Sequence, residues 1–318
     1  MKEIVSSTVE QQIEKLKSRH LIISDESSAK YYLTLYGYSN LIKSYREPYV
    51  YTDKNLKLFR EGVSFEQICS LYLLDKNLRN AIMASMLDYE EFIKEAAANI
   101  ISKSFGTNQD DYLKFRNYKN KKKRVERFTL KEILNSMNRS LLTDKNPIFH
   151  YRETYGIVPP WILFKSIYLS TMINFIDLFK RNEAQAMALC LYNDDITASV
   201  DETIALMMNT MFVCMEYRNI AAHGGRVYNY SCKNWKSQTL TKNNNGSPDG
   251  INKLLFLLRL LKYPAPYEHV YRVLNNEISR HCKKYPSDVT YLGQCLKANI
   301  ILEANIPESL DGQQCRRE

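Results

Sequence analysis

Three stretches of this chain place a serine or threonine three residues ahead of a glutamate or glutamine, each at the head of an apolar run: Ser64-Phe-Glu-Gln67, Thr129-Leu-Lys-Glu132 and Ser199-Val-Asp-Glu202. There the hydroxyl accepts from the third residue's N–H while the longer side chain reaches back, so two orphan donors are satisfied reciprocally. Each spacing predicts a helix start. Pro147 and Pro160 suit first-turn positions, where a missing N–H costs nothing. Gly37, Gly106, Gly156 and the pair Gly224-Gly225 mark helix ends, since glycine takes the left-handed cap conformation cheaply. The predicted helices cover residues 7–19, 25–36, 65–104 (one helix, or two with a break), 130–141, 147–155, 160–180, 183–192, 200–223, 251–263, 266–284 and 287–298. Only 10 Gly and 9 Pro occur in 318 residues, which disfavours a turn-dense β-sandwich. Tyr49-Val50-Tyr51 and Arg226-Val227-Tyr228 are short β-prone runs, Thr239–Gly250 reads as a polar loop, and the tail after Pro307 as frayed. The expected fold class is all-α.

The 44 Lys and Arg against 35 Asp and Glu leave a net charge of +9, a field that favours polyanions. The longest strongly apolar stretch, Thr203–Met215, spans 13 residues between Glu202 and Glu216, too short to cross a bilayer. The first residues lack a signal-peptide apolar region. Seven scattered cysteines without a CxxC read as reduced thiols in a cytoplasm, without a disulfide frame or zinc site. His20, His150, His269 and His281 have no partners at metal-ligand spacing and read as exposed or structural. No metal, no cofactor and no membrane association are expected.

The segment Glu216-Tyr-Arg-Asn-Ile-Ala-Ala-His-Gly-Gly-Arg-Val-Tyr-Asn229 closes the helix expected over 200–223, whose Ile204, Met207, Met208, Met211, Phe212 and Met215 are expected to pack inward. Arg218 and His223 stand about 140° apart around an ideal helix, so Arg218 must reach round or the helix must loosen at His223. An imidazole that moves protons beside a guanidinium that holds a phosphate oxygen suits phosphodiester chemistry. R-x4-H is also a common chance spacing, and a helix-end histidine is commonly a cap. On spacing alone the cap reading is the stronger.

Arg218-Asn219-x-x-x-His223 resembles the R-x4–6-H signature of HEPN ribonucleases. Further motifs resemble the bacterial abortive-infection Abi-like family, of the AbiD/AbiF kind. They are Tyr31-Tyr32-Leu33-x-x-Tyr36-Gly37-Tyr38, then Phe65-Glu66-x-Ile68-x-x-Leu71-Tyr72-x-x-Asp75-x-x-Leu78-Arg79. Tyr155-Gly156-Ile157-Val158-Pro159-Pro160-Trp161-x-Leu163-Phe164-x-Ser166 follows, and Arg226-Val227-Tyr228-Asn229 continues beyond the histidine. The resemblance covers about residues 20–265; Lys165 and Leu169-Ser170 depart from the family pattern.

The resemblance implies a HEPN-like helical bundle over residues 1–265, with additional N- and C-terminal helices and an extension over 266–318. It implies an anti-phage endoribonuclease that needs no metal and works as a homodimer, because two R-x4–6-H motifs make one composite site and one motif is seen here. His223 would take a ribose 2′-OH proton, Arg218 would stabilise the phosphorane, and Asn219 would orient the histidine or the phosphate; the product is a 2′,3′-cyclic phosphate. Analogy with the family also implies a restraining or activating partner, RNA or protein.

Between Lys114 and Arg127 lie eight basic residues against the one acid Glu126, interleaved with Tyr112, Phe115 and Tyr118. Lys119, Lys121, Lys122, Lys123, Arg124 and Arg127, with Arg226 and Asn229, are candidate RNA contacts, since cations neutralise phosphates and aromatic rings stack on unpaired bases. The bland alternative is a solvated loop. Asp75 and Arg79, at i and i+4, read as a surface ion pair or a buried structural link. The competing reading for the whole chain is a non-catalytic RNA-binding or interaction protein on the same helical scaffold.

Overall fold

The computed structural model describes residues 6–121, 128–193, 199–232, 249–297 and 300. Helices dominate, as expected. In chain order they are α1 (Val9–Lys17), α2 (Glu26–Tyr36), α3 (Phe65–Phe105), α4 (Gln109–Tyr112), α5 (Leu130–Leu141), α6 (Ile148–Tyr155) and α7 (Pro160–Leu163). Then follow α8 (Leu169–Ile176), α9 (Arg181–Leu191), α10 (Val200–Ala222), α11 (Ile251–Arg259), α12 (Ala265–Lys284) and α13 (Val289–Leu296). Between α2 and α3 a hairpin of β1 (Val50–Asp53) and β2 (Leu56–Phe59) pairs antiparallel, Val50 opposite Phe59. The β-prone run at Tyr49–Tyr51 thus enters a strand, whereas Arg226–Tyr228 forms none. Most of Thr239–Gly250 and the tail after Pro307 lie outside the described residues.

The chain forms two compact units, Met1–Leu74 with Asn275–Glu318, and Asp75–Leu274. The expected division at 265 falls where α12 begins, whereas these boundaries fall inside α3 and α12.

In the first unit α1 packs on α2, and Asp25 caps α2 by accepting from the Ser27 and Ser28 amides. A polar cluster is buried among its apolar side chains. His281, fully buried, lies with Nε2 2.8 Å from Asp288 Oδ2 and Nδ1 2.9 Å from the Ser70 hydroxyl. Asp288 also accepts from Tyr49 at 2.6 Å and Gln67 at 2.8 Å. This corrects one expected capping box. The Gln67 backbone N–H does donate to Ser64 Oγ (3.1 Å), but the Gln67 side chain turns to Asp288, where its NH2 donates to a buried carboxylate at 2.8 Å, a charge-assisted bond stronger than the neutral one a capping box offers.

In the second unit α10 packs against α8, α9 and α11, and α5 against α8. The boxes at Thr129 and Ser199 form with both bonds in place. The helix expected over 160–180 is instead broken. A 3-10 turn at Phe164–Ser166 passes into extended backbone at Ile167 and Tyr168 before α8 resumes. Phe164, Ile167 and Leu169 are all buried, and an unbroken helix cannot turn positions five apart to one side. The 65–104 segment is the single helix α3. Cys69, Cys214, Cys232 and Cys282 are buried and, among the described residues, in no disulfide bond; burial pushes Cys69 up to about 12 and Cys282 up to about 11. Among the described residues no helix is long and apolar enough to cross a membrane.

Candidate functional site

The capping box at Ser199 starts α10, and its core face is then set by Leu206, Met207, Thr210, Met211, Val213, Cys214, Tyr217 and Ala221, all buried. The Tyr192 and Thr210 hydroxyls, 2.8 Å apart and buried, tie that face to the end of α9. The inward packing expected for the other apolar residues is corrected. Ile204, Met208, Phe212 and Met215 are only partly buried and follow one another at three- or four-residue steps, a second apolar stripe on the side of α10 away from its core face. Continuing those steps leads to Asn219 and then His223. Arg218 and His223 flank the end of the stripe, which is how residues 140° apart (an ideal-helix figure of about that size) can serve one surface.

The helix does loosen at His223. Its last helical residue is Ala222, and His223 caps it with φ −92° and ψ 12°. The His223 side chain is exposed. Arg218 is partly buried: Nη1 lies 3.5 Å from the neighbouring Asn219 Oδ1, while Nε is shut off from solvent without a hydrogen-bond partner among the described residues. A buried guanidinium N–H left unmatched is an uncommon and costly arrangement, and an incoming acceptor would relieve it.

The chain then reverses. Gly224 has φ +72°, and the Gly225 amide returns to the Ile220 carbonyl at 2.9 Å. A Cβ on Gly225 would stand 2.8 Å from Ile220 Cγ2 and 3.2 Å from its carbonyl oxygen, so neither glycine has a comfortable replacement. Past this turn the chain is held from below. Asp75 Oδ1 accepts from the amides of Val227 and Tyr228, both at 2.9 Å, and its Oδ2 from Arg79 Nη1 at 2.7 Å. Asp75 is fully buried, so of the two expected readings the buried structural link is the observed one. Its i,i+4 spacing pointed to the ion pair; the loop amides 152 positions away left no local trace in the sequence.

Glu216 and Tyr217 clasp the returning segment, and neither role was anticipated. The Tyr217 hydroxyl donates to the Tyr230 carbonyl at 3.0 Å, and the Glu216 carboxylate takes both the Tyr230 hydroxyl and, at 2.6 Å, the Cys232 thiol. The buried ammonium of Lys253 on α11 closes on the Cys232 carbonyl at 3.1 Å. The structure therefore holds Arg226 and Asn229 on a short, pinned segment next to the turn, where Asn229 is exposed and Arg226 partly so.

The basic run is placed elsewhere. The Lys119 amide donates to the Leu178 carbonyl at 2.8 Å and the Lys121 ammonium pairs with Asp177 at 2.8 Å, both just beyond α8. These partners are not in the 216–232 segment. The Lys119 side chain is exposed; Lys122, Lys123, Arg124 and Arg127 lie outside the described residues. A cleft of about 760 Å³ opens between α3 and α7, lined by Glu90, Phe92, Lys165 and the family-like motif residues Trp161 and Phe164 among others; Arg218, Asn219 and His223 do not line it.

A family model described as Abi-like protein matches residues 31–229, from the tyrosine pair on α2 to the last residue of the segment pinned by Asp75. No curated protein and no solved structure matches the chain.

Proposed function

The chain belongs to the Abi-like protein family, and on that premise we propose that it is an abortive-infection endoribonuclease whose active site forms when two copies pair along α10. The observation that carries this reading is the partly exposed row of Ile204, Met208 and Met215 on α10, ending between Arg218 and His223. A helix apolar on both faces is ordinarily covered on both. A second copy seated on the stripe about a two-fold axis would bring both histidines and both arginines to one place.

There the His223 imidazole removes the proton from a ribose 2′-OH. The freed oxygen attacks the adjacent phosphorus, and the P–O5′ bond breaks. The departing O5′ takes up a proton from the imidazolium or from water, leaving a 2′,3′-cyclic phosphate and a 5′-OH. Arg218, with a guanidinium N–H already desolvated, stabilises the charge that builds on the phosphorane oxygens. Asn219 aligns the Arg218 guanidinium, and Arg226 and Asn229 hold the flanking phosphates. The basic run from Lys119 supplies a second contact for RNA, as substrate or as a regulatory strand.

The test incubates purified protein and its His223→Ala variant with cellular RNA in EDTA and maps the fragment ends. Cleavage leaving cyclic phosphates, absent from a variant that still dimerises, is the expected result. Equal cleavage by both proteins would remove His223 from the mechanism. RNA affinity without cleavage by either would favour a non-catalytic RNA-binding protein.

A further inference from the structure

We infer that Asp75 is a positioning residue for the motif: its buried carboxylate fixes the backbone beyond the glycine turn and thereby sets where His223 and Arg226 stand. What the positioning serves rests on the nuclease reading above; the positioning itself does not. Asp75 is fully buried, so it cannot touch substrate. Nor is it simply half of a helix ion pair. Arg79 engages Oδ2, while Oδ1 accepts from two consecutive backbone amides, those of Val227 and Tyr228. Successive N–H groups converging on one anion form a rigid cradle, here around an internal anion.

The lever between Asp75 and the histidine is short. Only Gly224, Gly225 and Arg226 separate His223 from Val227, and the turn has no slack, with Gly224 left-handed and Gly225 closed against Ile220. His223 is therefore fixed from one side by α10 and from the other by the Asp75 cradle. Val227 and Tyr228 are fully buried, so without the carboxylate their amides would have to find other acceptors. The segment would shift to reach water and would draw the turn, and the imidazole, with it. A displacement of about 1 Å in a reacting group costs on the order of 100-fold in rate.

The test compares Asp75→Asn with the double variant Asp75→Asn/Arg79→Gln. In the single variant the new NH2 group faces the Arg79 donors, whereas in the double variant it can donate to the glutamine oxygen, as side chains at i and i+4 do. The single variant is expected to lose about 10- to 100-fold in kcat while KM stays within about threefold. It should also shift the His223 ring signals in NMR and speed amide exchange at Val227 and Tyr228, and the double variant should recover all three. Asp288→Asn, compared at a temperature where it has lost as much stability, is expected to keep its kcat. Unchanged kcat in Asp75→Asn, or an equal loss in Asp288→Asn, overturns the inference. Should the wild-type protein leave RNA intact, the nuclease reading fails, yet the ring signals and amide exchange still decide the positioning, and their persistence in Asp75→Asn overturns it.

Discussion

His281 and Asp288 stand seven residues apart on either side of the end of α12, and the His281 Nε2 lies 2.8 Å from Asp288 Oδ2 with the imidazole fully buried. Burial alone would raise the Asp288 carboxyl, but hydrogen bonds from His281, Tyr49 and Gln67 outweigh it and hold the group below the ordinary carboxylate value. A depressed folded-state value means stability that is present above the unfolded value of about 3.9 and lost as pH falls through the folded one. Asp288→Asn is therefore expected to cost roughly 1–3 kcal/mol at neutral pH, with a smaller difference from wild type in acid. Urea titrations at pH 7 and pH 3 measure both; a difference that does not shrink in acid would refute the assignment.

Gly225 closes the turn after His223 against Ile220, where a Cβ would stand 2.8 Å from Cγ2 and 3.2 Å from the carbonyl oxygen. Gly224→Ala meets no atom within 4 Å but keeps φ +72°, so it should cost only the left-handed penalty of about 1–2 kcal/mol. Gly225→Ala must move backbone and should disturb the His223 position more for a given loss of stability. Melting temperature and His223 ring signals for the two variants test that ordering.

Met208 lies midway along the outer stripe of α10 and is only partly buried. Met208→Lys should leave the fold within about 0.5 kcal/mol, as surface substitutions do, while blocking self-association and with it cleavage. Light scattering after size exclusion, run beside the RNA assay, decides. A monomeric variant that still cuts RNA would show the site to be complete in one chain.

Lys119 and Lys121 differ in what they can offer a phosphate. Lys121 is paired with Asp177 at 2.8 Å, whereas the Lys119 side chain is exposed and takes no ion pair among the described residues. Lys119→Ala should lower the slope of log affinity against log salt by about 1, and Lys121→Ala by less. Equal slopes for both variants and wild type would place the RNA contact elsewhere.

Much of the fold was legible because its signals are local. Capping at Thr129 and Ser199 needs only residues three apart, and the ends of α3 and α10 fall within a residue of their expected places. The R-x4-H spacing was visible for the same reason. What the sequence could not determine depends on neighbours distant along the chain. The break at Phe164–Tyr168 exists because Phe164, Ile167 and Leu169 are all buried, which an unbroken helix cannot bring to one side, and Gln67 leaves its cap for a carboxylate 221 positions away. Whether the apolar residues of α10 face inward was undecidable from periodicity, since Met207 and Met208 are adjacent yet only Met207 is fully buried. The candidate site divides the same way. Sequence alone named Arg218, Asn219 and His223; only the tertiary structure brought Asp75 beneath the turn that follows them, because a buried carboxylate must find its donors wherever the packed chain supplies them.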